Sequence, residues 1–131
     1  MKGGPIIAAV ALLAGCAADS WVRPGTGWSR APDLSVYAAM TTFGGIAREQ
    51  SVLCGGFATA SVERHWREDF GAREAAVAAL LAARHGAAAV GAAAAGAAPT
   101  RRVGCPEAPN LRWRRHYARL LRLLETRLGL A

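Results

Sequence analysis

The clearest hydrophobic pattern in the chain lies near its C-terminal end, between residues 111 and 128. Apolar side chains recur there at steps of four, three, one, three and four residues. They are Trp113, Tyr117, Leu120, Leu121, Leu124 and Leu128. This spacing matches the 3.6-residue turn of a helix that buries one face. We therefore predict a helix over residues 111 to 128, capped by Asn110 and ended by Gly129.

A weaker form of the pattern predicts a first helix from Leu34 to near Cys54. Asp33 is its expected cap, and the Gly55-Gly56 pair supplies a C-terminal stop. The expected buried positions are Val36, Met40, Phe43 and Ala47. Because these four fall at helical spacing, we expect them to form one stripe that faces the core.

A second helix is predicted from Ser61, its expected cap, to about His85, with Gly86 as its terminator. Gly71 lies inside this stretch and could split it into two segments. The expected apolar face consists of Val62, Trp66, Phe70, Val77, Leu80 and Leu81.

Residues 87 to 98 are almost wholly Ala and Gly, with Val90 as the only larger side chain. Ala favours a helix and Gly weakens one, so this stretch is either a frayed helical extension or a surface linker. No part of the pattern has the strict alternation of a strand. The sequence therefore predicts an all-α domain of three or four helices over residues 33 to 131.

The N-terminal end has the layout of an export signal. Lys2 precedes an apolar run from Pro5 to Leu13, and small residues separate that run from Cys16. A membrane-spanning helix needs about 20 apolar residues, so this shorter run is typical of a secretory signal instead. We predict a signal peptide over residues 1 to 15.

The last residues of this segment, Leu13-Ala14-Gly15-Cys16, resemble the lipobox of bacterial lipoproteins. The resemblance implies cleavage before Cys16 and a diacylglyceryl anchor, with palmitate, on that residue. Such an anchor would hold the chain to a membrane that faces the periplasm, and Ala17 in place of Asp slightly favours the outer membrane. The alternative is ordinary signal cleavage, for example after Ala18, which would give a secreted periplasmic helical protein without lipid.

Residues 16 to 32 are predicted to form an irregular tether between the anchor and the helical domain. Pro and Gly are dense in this stretch, which argues against a regular element. It also contains Trp21 and Trp28. These indoles could rest at the lipid interface or fold back and cap the domain, and the sequence favours neither arrangement.

The cysteines predict one disulfide bond. If Cys16 is lipidated or removed, Cys54 and Cys105 remain as a pair, and export places them where a disulfide persists. A bridge that closes a loop of about 50 residues would stabilise the fold by about 4 kcal/mol. The alternative is a pair of free or metal-binding thiols, for which the sequence offers no support, since it contains no Cys-x-x-Cys motif and no second Cys and His cluster.

The positive charge is concentrated at the C-terminal end. The chain carries +7, and from residue 101 onward eight Arg stand against two Glu. Four of these arginines, on the predicted last helix, are Arg112, Arg115, Arg119 and Arg122. They could bind anionic lipid, a glycan or an acidic protein, or form an ordinary solvated face. Export argues against nucleic acid, the usual partner of such a helix.

Few residues suggest catalysis or metal binding. His65, Glu68 and Asp69 lie within about one helical turn, but the second His at i+4 that a zinc-protease helix requires is missing. We expect His85 at a helix end and His116 at the edge of the last helix. Neither a nucleophile elbow nor a phosphate-binding Gly loop occurs. We therefore predict no enzyme activity, no metal and no cofactor.

The whole chain loosely resembles small exported bacterial proteins with two Cys flanking a helical hairpin, a resemblance that implies no activity. The first functional hypothesis is a non-catalytic envelope lipoprotein whose last helix meets an anionic partner. The second is a structural or accessory subunit of an envelope complex that docks through the Leu-rich stripe of the last helix. A third, an enzyme, would need a pocket that gathers His65 with acids from another helix.

Overall fold

Four helices make up the computed structural model, which describes residues 27 to 96, 105 and 111 to 131. Their bounds are Asp33–Gly55 (α1), residues 59 to 85 (α2), Ala87–Gly96 (α3) and Arg112–Arg127 (α4). A 3-10 turn, Trp28–Arg30, precedes α1. No strand occurs in these described ranges. The all-α prediction is confirmed.

The core forms where α4 lies antiparallel along α1. At one end Arg127 of α4 contacts Asp33 of α1, and further along Trp113 stacks on Phe43 with ring centroids 5.7 Å apart. Helices α2 and α3 cover the remaining sides of α1. The apolar positions predicted for α4 are all buried: Trp113, Tyr117, Leu120, Leu121, Leu124 and Leu128.

The apolar faces predicted for the first two helices are also largely buried. In α1, Val36, Met40 and Phe43 are buried and Ala47 packs against them. In α2 the buried members are Trp66, Phe70, Val77 and Leu81, while Leu80 packs at the margin and Val62 is half-buried. The helical spacing therefore located the core.

The N-caps of all three predicted helices differ from those in the structure. Pro32, not Asp33, is the N-cap of α1, and Asp33 is its first residue, with its carboxylate bound to Arg127. Helix α2 begins at Thr59 with Ala58 at the N-cap, so Ser61 lies inside the first turn. For α4 the structure places Leu111 at the N-cap, and Asn110 lies outside the described residues.

The predicted glycine stops agree with the structure. Gly56 follows α1 with φ +71°, and Gly86 follows α2 with φ +92°. These left-handed backbone angles are disfavoured for residues that carry a Cβ. Gly86 separates α2 from Ala87–Gly96, and that stretch is helical, with Val90 buried in the core. Of the two alternatives for this Ala-rich stretch, the structure has the helix.

Gly71 does not split α2 but ends a π-helical turn within it. The helix runs as α-helix over Thr59–Trp66, as π-helix over Arg67–Gly71 and again as α-helix over Ala72–His85. The wider turn adds a residue per turn. Trp66 and Phe70 both face the core at this turn, with ring centroids 4.8 Å apart.

The predicted disulfide between Cys54 and Cys105 is confirmed, with Cα atoms 5.4 Å apart. It joins the end of α1 to the connection that precedes α4. Trp28 packs against the core, so this tryptophan caps the domain, whereas Trp21, the signal peptide and Cys16 lie outside the described residues. Within the described ranges, no helix combines the length and the apolar character that crossing a bilayer requires.

Candidate anion-binding face

Four arginines form a single stripe along the solvent side of α4. They are Arg112, Arg115, Arg119 and Arg122, and all four are exposed. Steps of three, four and three residues keep them on one face of a helix. The stripe extends about 15 Å along the helix axis and lies opposite the buried face of α4. We call this set the arginine stripe.

Most of the stripe has no acidic partner in the described part of the chain. Arg115, Arg119 and Arg122 are absent from every ion pair there, and Arg112 lies over the Trp113 ring, 5.4 Å from its centroid. Six other described arginines each lie within salt-bridge distance of a carboxylate. They are Arg48, Arg64, Arg73, Arg84, Arg114 and Arg127.

The acidic residue nearest in sequence to the stripe binds an arginine of α2. Glu125 follows Arg122 by three residues, yet its Oε2 accepts a hydrogen bond from Arg73 Nε of α2 at 3.0 Å. That hydrogen bond is the main cause that lowers the pKa of Glu125, and Arg122 adds a smaller effect. Because Glu125 is engaged by α2, it compensates little of the stripe's charge.

Arg114, on the same helix, binds α2 and does not belong to the stripe. Its Nη2 donates to Asp69 Oδ2 at 2.8 Å, and its guanidinium lies 4.7 Å from the centroid of the Phe70 ring. Both partners belong to the π-helical turn of α2. The sequence analysis missed this role because the partners lie far away in the chain, although Arg114 directly follows the buried Trp113.

Arg127 binds the segment that precedes α1. Its Nη1 donates to Ala31 O at 2.7 Å and to Asp33 Oδ1 at 3.0 Å. Its Nη2 donates to Trp28 O at 2.8 Å and to Ser29 O at 2.9 Å. We call these four contacts the Arg127 clamp. The clamp fixes the end of the tether against the C-terminal end of α4, and nothing in the sequence pattern indicated it.

A buried phenol is paired with a half-buried carboxylate on the core side of α4. The Tyr117 hydroxyl donates to Glu74 Oε2, and the Tyr117 ring packs edge-on against Trp66 and Phe70. Burial, first, and the hydrogen bond to Glu74, second, raise the pKa of Tyr117. A phenol held protonated inside the core cannot act as a base, so this pair joins α2 to α4 structurally.

His116 lies where the stripe meets the core. Its ring centroid lies 5.4 Å from that of Phe43, and its Nε2 is buried without a hydrogen-bond partner among the described residues. Burial, followed by the positive charges of Arg112 and Arg119, lowers the pKa of His116 below its ordinary value of 6.5. Its surroundings therefore favour the neutral imidazole, and the ring packs at the helix edge as the sequence predicted.

This environment predicts a pH-dependent stability. Below pH 6.5 the unfolded chain takes up a proton at residue 116 before the folded chain does, so the free energy of unfolding falls as the pH is lowered. The variant His116→Gln should lose that component of the slope in urea titrations at several pH values. His65→Gln, which changes an exposed histidine, is the control and should keep it. An unaltered slope in His116→Gln would contradict the prediction.

The residues considered for catalysis do not form a site. His65, Glu68 and Asp69 are all exposed, with Asp69 bound to Arg114 and Glu68 lying 3.9 Å from Arg64. In the described ranges no three His, Cys, Asp or Glu side chains come together as metal ligands would. A groove of about 370 Å³ lies between α1 and α2. Its lining is Gly45, Arg48, Glu49, Val52, Leu53, Thr59 and Glu63.

The Leu-rich stripe of α4 is occupied by the chain's own helices. Leu121 and Leu124 have no exposed surface and Leu120 is 3% exposed, so this face is not available for docking another subunit. No model of a known protein family, no curated protein and no solved structure matches the chain. On the described surface, the arginine stripe is a feature in which three neighbouring exposed arginines lie outside every ion pair.

Proposed function

We propose that this protein is a non-catalytic cell-envelope lipoprotein, held through Cys16, that binds an anionic partner through the arginine stripe. The observation that carries the proposal is the absence of acidic partners for Arg115, Arg119 and Arg122 in a described domain whose other helical arginines are mostly paired. An external anion would supply the missing compensation. The guanidinium group suits this task because its planar fork binds phosphate and carboxylate in a bidentate manner.

Local energetics favour a bound anion over a merely solvated face. Arginines three and four residues apart on a helix repel one another by roughly a few tenths of a kcal/mol per pair. The stripe contains three such neighbouring pairs, from Arg112 to Arg122. An anion that lies along the stripe removes this repulsion and gains charge-assisted hydrogen bonds. The exposed arginines are then binding groups, and the buried face of α4 holds them in line.

Two features support the envelope location. The Leu13-Ala14-Gly15-Cys16 segment resembles a lipobox, and the Cys54–Cys105 bond suits an oxidising compartment such as the periplasm. Acyl chains on Cys16 would give stable anchoring, since two or more chains hold a protein firmly to a bilayer. The ordinary secreted form, cut near Ala18, would leave the stripe unchanged but remove the anchor.

The test compares two triple variants of the full-length chain purified from envelopes in mild detergent. Arg115, Arg119 and Arg122 are changed to Gln in the first, and Arg30, Arg64 and Arg67, which are exposed and lie off the stripe, are changed to Gln in the second. We expect the stripe variant to recover far less phosphate and acidic sugar per mole of chain than the wild type. The control should match the wild type, because it has lost the same charge elsewhere.

Two further measurements make this test decisive. Intact mass of the purified chain reports acyl chains on Cys16, and circular dichroism reports folding. The stripe variant should be slightly more stable than the wild type, since like-charge pairs have been removed, so a loss of binding cannot be ascribed to unfolding. Equal recovery of anionic material in the two triple variants would refute the binding role, and an unmodified Cys16 would refute the anchor.

A further inference from the structure

The Arg127 clamp and the length of the chain between Cys16 and Gly27 limit how far the arginine stripe can lie from the anchor. It binds the carbonyl groups of Trp28, Ser29 and Ala31 to the last turn of α4. Along the helix axis, Arg122 lies about 7.5 Å from Arg127 and Arg112 lies about 22 Å from it. The eleven residue steps from Cys16 to Gly27 span at most about 40 Å. Every arginine of the stripe is thus within reach of the surface that would hold Cys16.

The expected affinity of the stripe for an anion is low, which favours a partner that the anchor already holds close to it. An arginine near an anionic membrane surface multiplies the binding constant by about five. Three such residues give roughly a hundredfold, which alone corresponds to a dissociation constant in the millimolar range. A free glycan or protein would seldom be present at that level. A short tether, in contrast, supplies an effective concentration that is itself in the millimolar range.

An apolar side chain at the end of the stripe fits the same partner. Leu111 is 57% exposed, and its carbonyl accepts the N–H of Arg115, which places it one turn before that arginine on the same side of α4. At a lipid surface, arginine side chains bind the headgroup phosphates, and an apolar side chain such as leucine inserts at the boundary between headgroups and acyl chains. A soluble polyanion offers no apolar surface for Leu111.

We infer that the anionic partner of the arginine stripe is the phospholipid headgroup layer of the very membrane that holds the Cys16 anchor. This inference rests on the proposed function and names its partner. Helix α4 then lies along the bilayer, with its arginines on the phosphates and its buried face toward α1. The tether and the stripe act together: the acyl chains hold the domain near the surface, and the stripe orients it there.

The experiment maps arginine reactivity on the full-length chain, purified with its acyl chains and reconstituted into vesicles. One vesicle consists of phosphatidylcholine alone, and the other of phosphatidylcholine and phosphatidylglycerol in equal parts. An arginine-specific dicarbonyl reagent, followed by peptide mass spectrometry, measures the reaction rate of each guanidinium group. We expect Arg115, Arg119 and Arg122 to react about fivefold more slowly on the anionic vesicle. Arg67, exposed on α2, should react equally on both.

A salt titration and a phosphate control separate the sources of the anion. High salt should abolish the protection, because exposed charges are screened. Inorganic phosphate or phosphatidylglycerol headgroup analogue, added to neutral vesicles, should protect the stripe much less than the anionic bilayer does. Equal protection by the free anions would overturn the inference in favour of a small soluble ligand.

The remaining outcomes distinguish this inference from the proposed function. In one outcome, the stripe reacts equally on both vesicles while the triple Gln variant still recovers less anionic material than the wild type. That result would refute the inference but support the binding role, with a glycan or an acidic protein as the partner. If the stripe shows neither protection nor loss of anionic material, both fall. A chain that carries no acyl mass also overturns the inference, because nothing would then hold the stripe at the surface.

Discussion

Replacement of both Cys54 and Cys105 by serine will lower the free energy of unfolding by about 4 kcal/mol. The bond joins residues 51 positions apart, and opening it gives the unfolded chain the conformational freedom of that whole loop. The effect is large relative to the total, since small domains are stable by only about 5 to 15 kcal/mol. We expect the same four helices in the variant, because the contacts between α1 and α4 do not involve the sulfur atoms.

Urea titrations with and without reductant measure this effect and contain their own control. Reductant should shift the wild-type transition to lower urea concentration by as much as the double substitution does. It should leave the double variant unchanged, because no disulfide remains to be reduced. If reductant leaves the urea midpoint of the wild type unchanged, the bond contributes nothing to stability or does not form.

The helices were predictable because their buried faces follow a strong period. In α4, Tyr117, Leu121 and Leu124 are the least exposed side chains and recur at helical spacing, which no other local structure would satisfy. The caps were predicted less well because a cap is worth only about 1 kcal/mol. Asp33 is instead engaged by Arg127 from the far end of the chain, and such a contact leaves no local pattern.

The candidate site was predictable from the same helical period, which also identifies the residues that face away from the core. The arginine stripe follows directly from the buried face of α4, since residues that cannot face the core must face solvent. The helical spacing left Arg114 and Arg127 out of this stripe, but it could not identify what the two residues bind. Their acidic partners, Asp69 and Asp33, lie 45 and 94 positions away. Asp69 moreover faces α4 from a π-helical turn, and an α-helical pattern does not predict such a turn.

Gly44 shows a further limit of sequence reasoning, because its role depends on two other helices. A Cβ atom at this position would lie 2.9 Å from Tyr117 Cδ2 and 3.1 Å from Trp66 Cζ2. In the sequence, Gly44 and Gly45 interrupt the apolar pattern of the first helix, which predicts either a bend in that helix or the close approach of another helix. In the structure the second interpretation holds, because α4 and α2 press their aromatic rings onto the bare backbone of α1.

Replacement of Gly44 by valine should therefore lower the free energy of unfolding by about 3 kcal/mol. The ring of Tyr117 is 1% exposed and its hydroxyl is bound to Glu74, so it cannot turn away from the added methyl groups. Either the hydrogen bond breaks inside the core or α1 and α4 move apart and lose packing. The change is measured by urea unfolding of the full chain, with near-ultraviolet circular dichroism reporting the aromatic rings.

Gly91→Val is the matched control for this prediction, since it adds the same atoms to another helical glycine. No atom lies within 4 Å of a Cβ built at residue 91, and valine is a better helix former than glycine by a few tenths of a kcal/mol, roughly. The control should be unchanged or slightly stabilised, with an unaltered aromatic spectrum. If both variants unfold at the same urea concentration, the close approach of α4 to α1 at Gly44 is not a constraint on the fold. If Gly44→Val alone is destabilised and its aromatic spectrum changes, the fold requires a residue without a Cβ atom where Tyr117 and Trp66 pack on α1.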